Sequence, residues 1–309
     1  GLDNPILNVG EMRNTGIELE LNWSDRIRDF DYNVGFNLST TNNKVVSLAD
    51  EGQVLYGEGL KYGTEHFPTQ TKVGKPIGAF YLYKTAGIFQ NDAEVAAHTN
   101  KDGQLLQPSA KPGDIRFVDT DNNGTIDDDD KVYCGSAIPK VEVNLNLGAG
   151  YKGFDLSMVI GSAWGHKLYN GNKYLYEGMN SGSNFLRSTL DAWTPENTNT
   201  SVPRAVYQDP NGNLKESDRF LEKGDFIRVR QIQLGYSVPK SLLQKIYLEK
   251  LRFYVSGENL LTWTNYSGID PEFSRTESGE SYASVLSAGI DSLIYPFTRS
   301  FTVGVQLSF

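Results

Sequence analysis

The stretch from Ser300 to Phe309 reads SFTVGVQLSF, and its alternation is unbroken. With Phe297 just upstream, Phe301, Val303, Val305, Leu307 and Phe309 share one face. Thr298, Ser300, Thr302, Gly304, Gln306 and Ser308 share the other. Strand side chains point alternately to opposite faces, so this segment has one oily side and one wet side.

Working outward, the same split recurs in IELELNW (17–23), FDYNVGFNLS (30–39), VEVNLNLGAGY (141–151), FDLSMVIG (154–161), IQLGYSV (232–238) and LRFYVSG (251–257). A soluble antiparallel sheet with one face on a core would alternate in this way. Two features favour a transmembrane β-barrel instead. The wet faces repeatedly carry carboxylates and amides, among them Glu18, Glu20, Asn144, Asn146 and Glu258. Aromatics (Trp23, Tyr151, Phe154, Trp164, Trp263 and Phe309) are expected near the strand ends. An outward apolar band, flanking aromatic girdles and a polar lumen define such barrels. The segments also have roughly the 9–11 residues that a tilted strand needs to cross a bilayer.

The connections alternate in length. Residues 24–29 and 152–153 make short links, and 239–250 makes a moderate one with a helical turn. The stretches 41–138, 165–224 and 265–296 are long. Short periplasmic turns and long external loops give this rhythm. With Phe309 at the periplasmic side, parity requires that 41–138 contribute zero or two membrane strands. IGAFYLYKTAGIFQ (77–90) reads as extended, but its faces do not separate.

Composition agrees. Only 39% of the 309 residues are hydrophobic, while glycine (31), tyrosine (17) and phenylalanine (15) are abundant, a mix that favours strands. A net charge of −9 leaves no basic surplus for a nucleic-acid backbone. Cys134 is the sole cysteine, which excludes an intrachain disulfide, and His66, His98 and His166 are too scattered for a zinc pattern. No apolar run approaches the length of a membrane helix, and the first residues do not read as a signal peptide. No nucleophile elbow, phosphate loop or paired-histidine motif suggests an enzyme. No organic cofactor is expected.

DTDNNGTIDDDD (119–130) gathers six aspartates and two asparagines on one short stretch. Calcium loops of the EF-hand class place oxygens at positions 1, 3, 5, 7, 9 and 12, with glycine at 6. Counting from Asp119 gives Asp119, Asp121, Asn123, the Thr125 carbonyl, Asp127 and Asp130, with Gly124 at the turn. The last slot holds aspartate where glutamate is usual. A calcium ion would remove the mutual repulsion of these carboxylates and stiffen an external loop spanning 114–131. The alternative is a solvated acidic turn built on Asn122, Asn123 and Gly124. For substrate contact the candidates are the aromatics Trp164, Tyr169, Tyr174, Tyr176 and Trp193, whose faces suit sugar stacking or a capping partner. Packing of the loops on themselves is the alternative.

Several blocks resemble one family in order along almost the whole chain. These are NVGEMRNTGIELELNW, KPIGAFYLYKTAGIFQ, KPGDIRFVDTDNNGTIDDDD, YKGFDLS, IRVRQIQLGYSVPKSLL, LRFYVSGENLLTWTNYSGIDPE and YPFTRSFTVGVQLSF. Together they are similar to the C-terminal part of SusC/RagA-type TonB-dependent outer-membrane transporters. The resemblance implies the C-terminal part of a 22-stranded barrel in the outer membrane of a Gram-negative bacterium. It also implies a separate plug domain driven by TonB, and a SusD-like surface lipoprotein over the mouth. Cargo would be oligosaccharides or peptides, and Phe309 would resemble the C-terminal aromatic assembly signal. Signal peptide, plug and earlier strands are not seen in the sequence. The 1–309 segment is therefore expected to need the remaining barrel and plug polypeptide, and outer-membrane lipid, for stability. Two other readings stay open: a soluble or surface β-rich binding module with a calcium-stiffened loop, and a siderophore-type receptor of the same barrel class.

Overall fold

The computed structural model describes residues 10–57, 67–179, 184–244, 247–272, 285–292 and 295–309. His66 lies outside them. All seven alternating segments form strands, and all seven join one antiparallel sheet. In chain order these are β1 (Glu18–Ile27), β2 (Phe30–Thr40), β3 (Val141–Tyr151), β4 (Phe154–Trp164), β5 (Phe226–Ser237), β6 (Lys250–Thr264) and β7 (Ser300–Ser308). Each strand pairs with its sequence neighbour, so the sheet is a simple meander. The β1 and β7 edges have no partner strand among the described residues.

Four departures from the sequence expectation are seen, and the first two have a local backbone cause. β5 starts six residues earlier than IQLGYSV suggests, because a register shift between Val229 and Gln231 breaks the parity of FIRVRQ. β6 continues past Gly257 to Thr264 through Asn259, whose positive φ of 51° re-aims the strand. The link expected at 24–29 shrinks to Arg28 and Asp29, since β1 runs to Ile27; Trp23 then sits opposite Val34 in mid-strand, not near an end. β7 begins at Ser300 and leaves Phe297 outside it.

The oily face is bare. Val303 is 81% exposed, Val305 53% and Leu307 58%, and no described helix or second sheet covers them. Trp23, Phe154, Leu234, Phe253 and Val255 are exposed on the same side. A soluble sheet does not leave a face of this extent uncovered.

The buried core lies instead in the long loops. Among the described residues, 41–138 add no strand to the seven-stranded wall; Asn42–Ser47 pairs with Glu11–Thr15 beyond the ends of β1 and β2. Within 77–90, Ala79–Leu82 joins a four-stranded sheet with Leu55–Tyr56, Thr69–Thr71 and Val132–Gly135, while Thr85–Ile88 pairs with Ile115–Phe117. Lys167–Asn170, Leu221–Lys223 and Ile290–Asp291 form a further small sheet. One core cluster packs Phe80, Leu82, Tyr169, Tyr174, Phe220 and Ile290; a second packs Tyr83, Ile88, Ile115, Phe117 and Trp193. A buried polar staple ties the loops together. The fully buried Asp114 carboxylate accepts from Arg204 (2.8 and 3.0 Å), from Asn213 Nδ2 (3.0 Å) and from the Lys111 amide (2.8 Å).

Candidate functional site

The wet face of the wall is built from charge pairs laid over glycines. Arg252 on β6 donates to both carboxylate oxygens of Asp155 on β4, at 2.9 and 2.5 Å. Between them lies Gly235, where a Cβ would come within 2.4 Å of the guanidinium and 2.5 Å of the carboxylate. Gly161 leaves the same gap beneath Arg230. Nearer the loops, Arg228 (2% exposed side chain) pairs with Asp270 and Glu272, and Arg230 donates to Glu272 at 2.7 Å. Asp270 also accepts from the Phe297 amide. This network anchors the segments that flank β6 and β7 to the wall. Its signal was present in the sequence as IRVR, two cations at strand spacing, but it needed Asp270 and Glu272 brought back in space to be read.

Above the wall, a cavity of about 920 Å³ opens among the loops. Its lining mixes amides and hydroxyls, among them Asn197, Asn199, Thr200 and Ser201, with the charged Lys173, Glu177, Arg187 and Asp191 and with apolar surface from Tyr176, Leu186, Val202 and Ile269. Of the aromatic candidates, only half-buried Tyr176 lines it. Tyr169 (0% exposed) and Tyr174 (4%) pack against Phe220 in the loop core, and Trp193 is buried with its indole N–H on Gln90. Their ring faces are spent on packing, so a stacking role for them does not fit this arrangement. Trp164 stands at the loop end of β4, 40% exposed on the oily side, a girdle position.

The aspartate loop has a defined geometry. Gly124 (φ +93°) allows its amide to donate to Asp119 Oδ2 at 2.9 Å. The Asn123 amide donates to Asp121 and the Thr125 amide to Asn123. Residues 128–130 form a 3-10 turn capped by Asp127. Asp130 is fully buried; the Thr120 amide donates to its Oδ1 and the Asp127 amide to its Oδ2. Ligand oxygens of Asp119, Asp121 and Asp130 lie within 4.8 Å of one another. Ile126 packs onto the second core cluster and holds the loop to the body.

Charge compensation is uneven. Lys131 pairs with Asp128 at 2.9 Å and with Glu216. That ammonium, followed by the Tyr83 hydroxyl, holds the Asp128 carboxyl below the usual range, against the opposing effect of burial. Lys215 lies over the Tyr83 and Phe117 rings, and burial lowers its pKa. Among the described residues, no ammonium or guanidinium pairs with Asp119, Asp121 or Asp130. Asp119 Oδ1 is buried with no hydrogen-bond partner. An orphaned oxygen beside two converging carboxylates fits a hard divalent cation, for which Asp119, Asp121, Asn123, the Thr125 carbonyl, Asp127 and Asp130 would supply oxygens.

Comparison with known proteins follows the same lines. The sequence matches none of the described protein-family profiles. TonB-dependent receptor P3 of Formosa agariphila is 32% identical over 315 residues, covering 100% of this chain and 30% of that receptor. TonB-dependent receptor SusC of Bacteroides thetaiotaomicron is 24% identical, covering 98% of this chain and 27% of its own length. The RagAB peptide importer in its closed-closed state superposes with a TM-score of 0.71 at 25% identity, over 98% of this chain and 30% of that one. The chain thus spans about 30% of the length of the curated relatives it matches.

Proposed function

Because the chain belongs to the SusC/RagA-type TonB-dependent receptors, as part of their barrel, we propose that it supplies wall strands and external loops to an outer-membrane importer. The transporter would sit in the outer membrane of a Gram-negative bacterium and take in oligosaccharides or peptides. A SusD-like lipoprotein would cap the loops, and TonB would act through a plug in the remaining length of the receptor.

The carrying observation is the uncovered oily face of a sheet whose opposite face holds ion pairs and amides. Backbone groups at the β1 and β7 edges need partner strands in hydrocarbon, where each free N–H or C=O costs several kcal/mol. The missing partners fit a barrel completed by other strands of the same receptor. The cavity, lined by amides, hydroxyls and charges of both signs, suits a hydrogen-bonding chain such as a glycan or peptide backbone. Relatives are receptors and transporters, which supports a non-enzymatic role.

Extraction tests the reading. The receptor should leave native membranes only with detergent and bring a surface lipoprotein with it. A monodisperse preparation in plain buffer would instead support the soluble binding module. For the loop, the same reading assigns calcium as a stiffener. Chelation should then raise hydrogen exchange across 114–131 and leave the wall strands unchanged; unchanged exchange in the loop would remove the ion from the account.

A further inference from the structure

An acidic chain of net charge −9 gathers four lysines around one groove with no carboxylate in its lining. Lys44, Lys75, Lys140 and Lys167 line this cavity of about 520 Å³, together with Tyr133 and Asn43. None of the four forms an ion pair among the described residues; Lys75 Nζ lies 4.7 Å over the Tyr133 ring. Elsewhere in the loops, by contrast, buried Lys131 is matched by Asp128 and Glu216.

The groove has a defined height on the wall. The outermost rung of the sheet aligns Thr40, Val141 and Trp164. One step beyond, the Lys140 amide donates to the Trp164 carbonyl, and the Thr41 amide donates to the Lys140 carbonyl. The lysines therefore begin about 3.4 Å past the aromatic end of the oily band, one residue along a strand. That level is where a bilayer changes from hydrocarbon to charged headgroups.

It also has a defined side. A second cavity shares Glu142, Asn144 and Arg230 with the polar wall, and takes Ala137, His166 and Leu168 from the adjoining segments. The lysine groove takes the alternate residues of those segments, Ser136, Ile138, Gly165 and Lys167. On this alternation the lysine groove falls on the side of these segments away from the polar wall. Glycines set the lysine stems. At Gly165 (φ +80°) a Cβ would meet Lys140 Cβ at 3.0 Å, and at Gly135 (φ +129°) it would meet Lys167 Cγ at 2.9 Å.

We infer that this groove binds the phosphate groups of anionic lipid headgroups in the outer leaflet around the barrel, anchoring the wall where β2, β3 and β4 enter the loops. The assignment rests on the membrane reading of the sheet. Several ammonium groups at the headgroup level attract phosphate, while their aliphatic stems cover the apolar rim.

The test uses the full receptor purified in mild detergent. A bisphosphorylated glycolipid, its dephosphorylated counterpart and inorganic phosphate are titrated separately, with bound lipid counted by native mass spectrometry and phosphate binding read by calorimetry. Lys140→Gln should weaken binding of the phosphorylated lipid about fivefold, and the combined Lys75→Gln, Lys140→Gln and Lys167→Gln variant about a hundredfold. The dephosphorylated lipid should be insensitive to these changes. Equal binding by wild type and triple variant would overturn the inference, as would an equal loss with the dephosphorylated lipid. Lysine-dependent binding of inorganic phosphate without lipid binding would overturn it in favour of a free-anion site. Whether the triple variant still requires detergent reads the membrane assignment independently.

Discussion

Asp119 shows how far a single position can be read. Its place at the head of a calcium-type spacing was legible in the sequence, and so was the need for Gly124 at the turn. That the other oxygen of Asp119 would be buried and orphaned was not, because burial depends on the loop body packed around it. Asp119→Asn should weaken binding of calcium, added alone to the receptor, by roughly tenfold or more, since ligand charge sets affinity in such loops. Calorimetry showing unchanged affinity would reject the assigned ligand set.

Asp128 makes a second, independent prediction at this scale. Its folded pKa lies below the unfolded carboxylate value, so its contribution to stability is present above about pH 4 and is lost as pH falls through the folded value. Protection of the amides across 127–131, corrected for the intrinsic pH dependence of exchange, should therefore fall on acidification below about pH 4. In Lys131→Met that acid-dependent loss of protection should shrink, and an unaltered acid profile would deny the pair its role. The aromatic candidates teach a complementary lesson. Tyr169 and Tyr174 carry the same residue type as Tyr176, and only tertiary packing separates two core rings from one that lines a cavity.

At the scale of the element, the wall strands were readable because their period of two extends over most of each strand. The reading faltered where geometry breaks that period. The register shift at Val229 to Gln231 and the positive φ of Asn259 each hid part of a strand that the alternation rule alone could not extend. Within the small sheets of 55–135, the pairing of Thr69–Thr71 with Ala79–Leu82 was not legible, since strands buried on both faces show no alternation.

Face assignment within β7 gives a sharp contrast. Val303→Lys should destabilise the assembled barrel by about 2–4 kcal/mol if Val303 lies near the bilayer midplane. Thr302→Lys, on the polar face, should be tolerated. Heat- and denaturant-resistance of the folded receptor on gels would show it; equal effects at both positions would contradict the two-faced wall. Arg228→Ala should loosen the segments beside β6 and β7 by leaving Asp270 buried without its partner, a cost of about 3–5 kcal/mol. Faster proteolysis of that region, with the wall strands intact, is the expected result.

At the scale of the whole molecule, the distribution of burial is inverted relative to a soluble domain. The tightly packed hydrophobic clusters sit in the loops, and the long sheet keeps its oily side outward, with both edges unpaired among the described residues. One physical premise joins these facts: a bilayer supplies the missing cover and neighbouring receptor strands supply the missing pairing. The direct test places a fluorescent label at each residue from Thr302 to Leu307 in turn, in the full receptor reconstituted with lipids that carry a quencher on their acyl chains. Labels at 303, 305 and 307 should be strongly quenched and those at 302, 304 and 306 should not. Quenching without that alternation, or none at the odd positions, would show that something other than lipid covers the sheet.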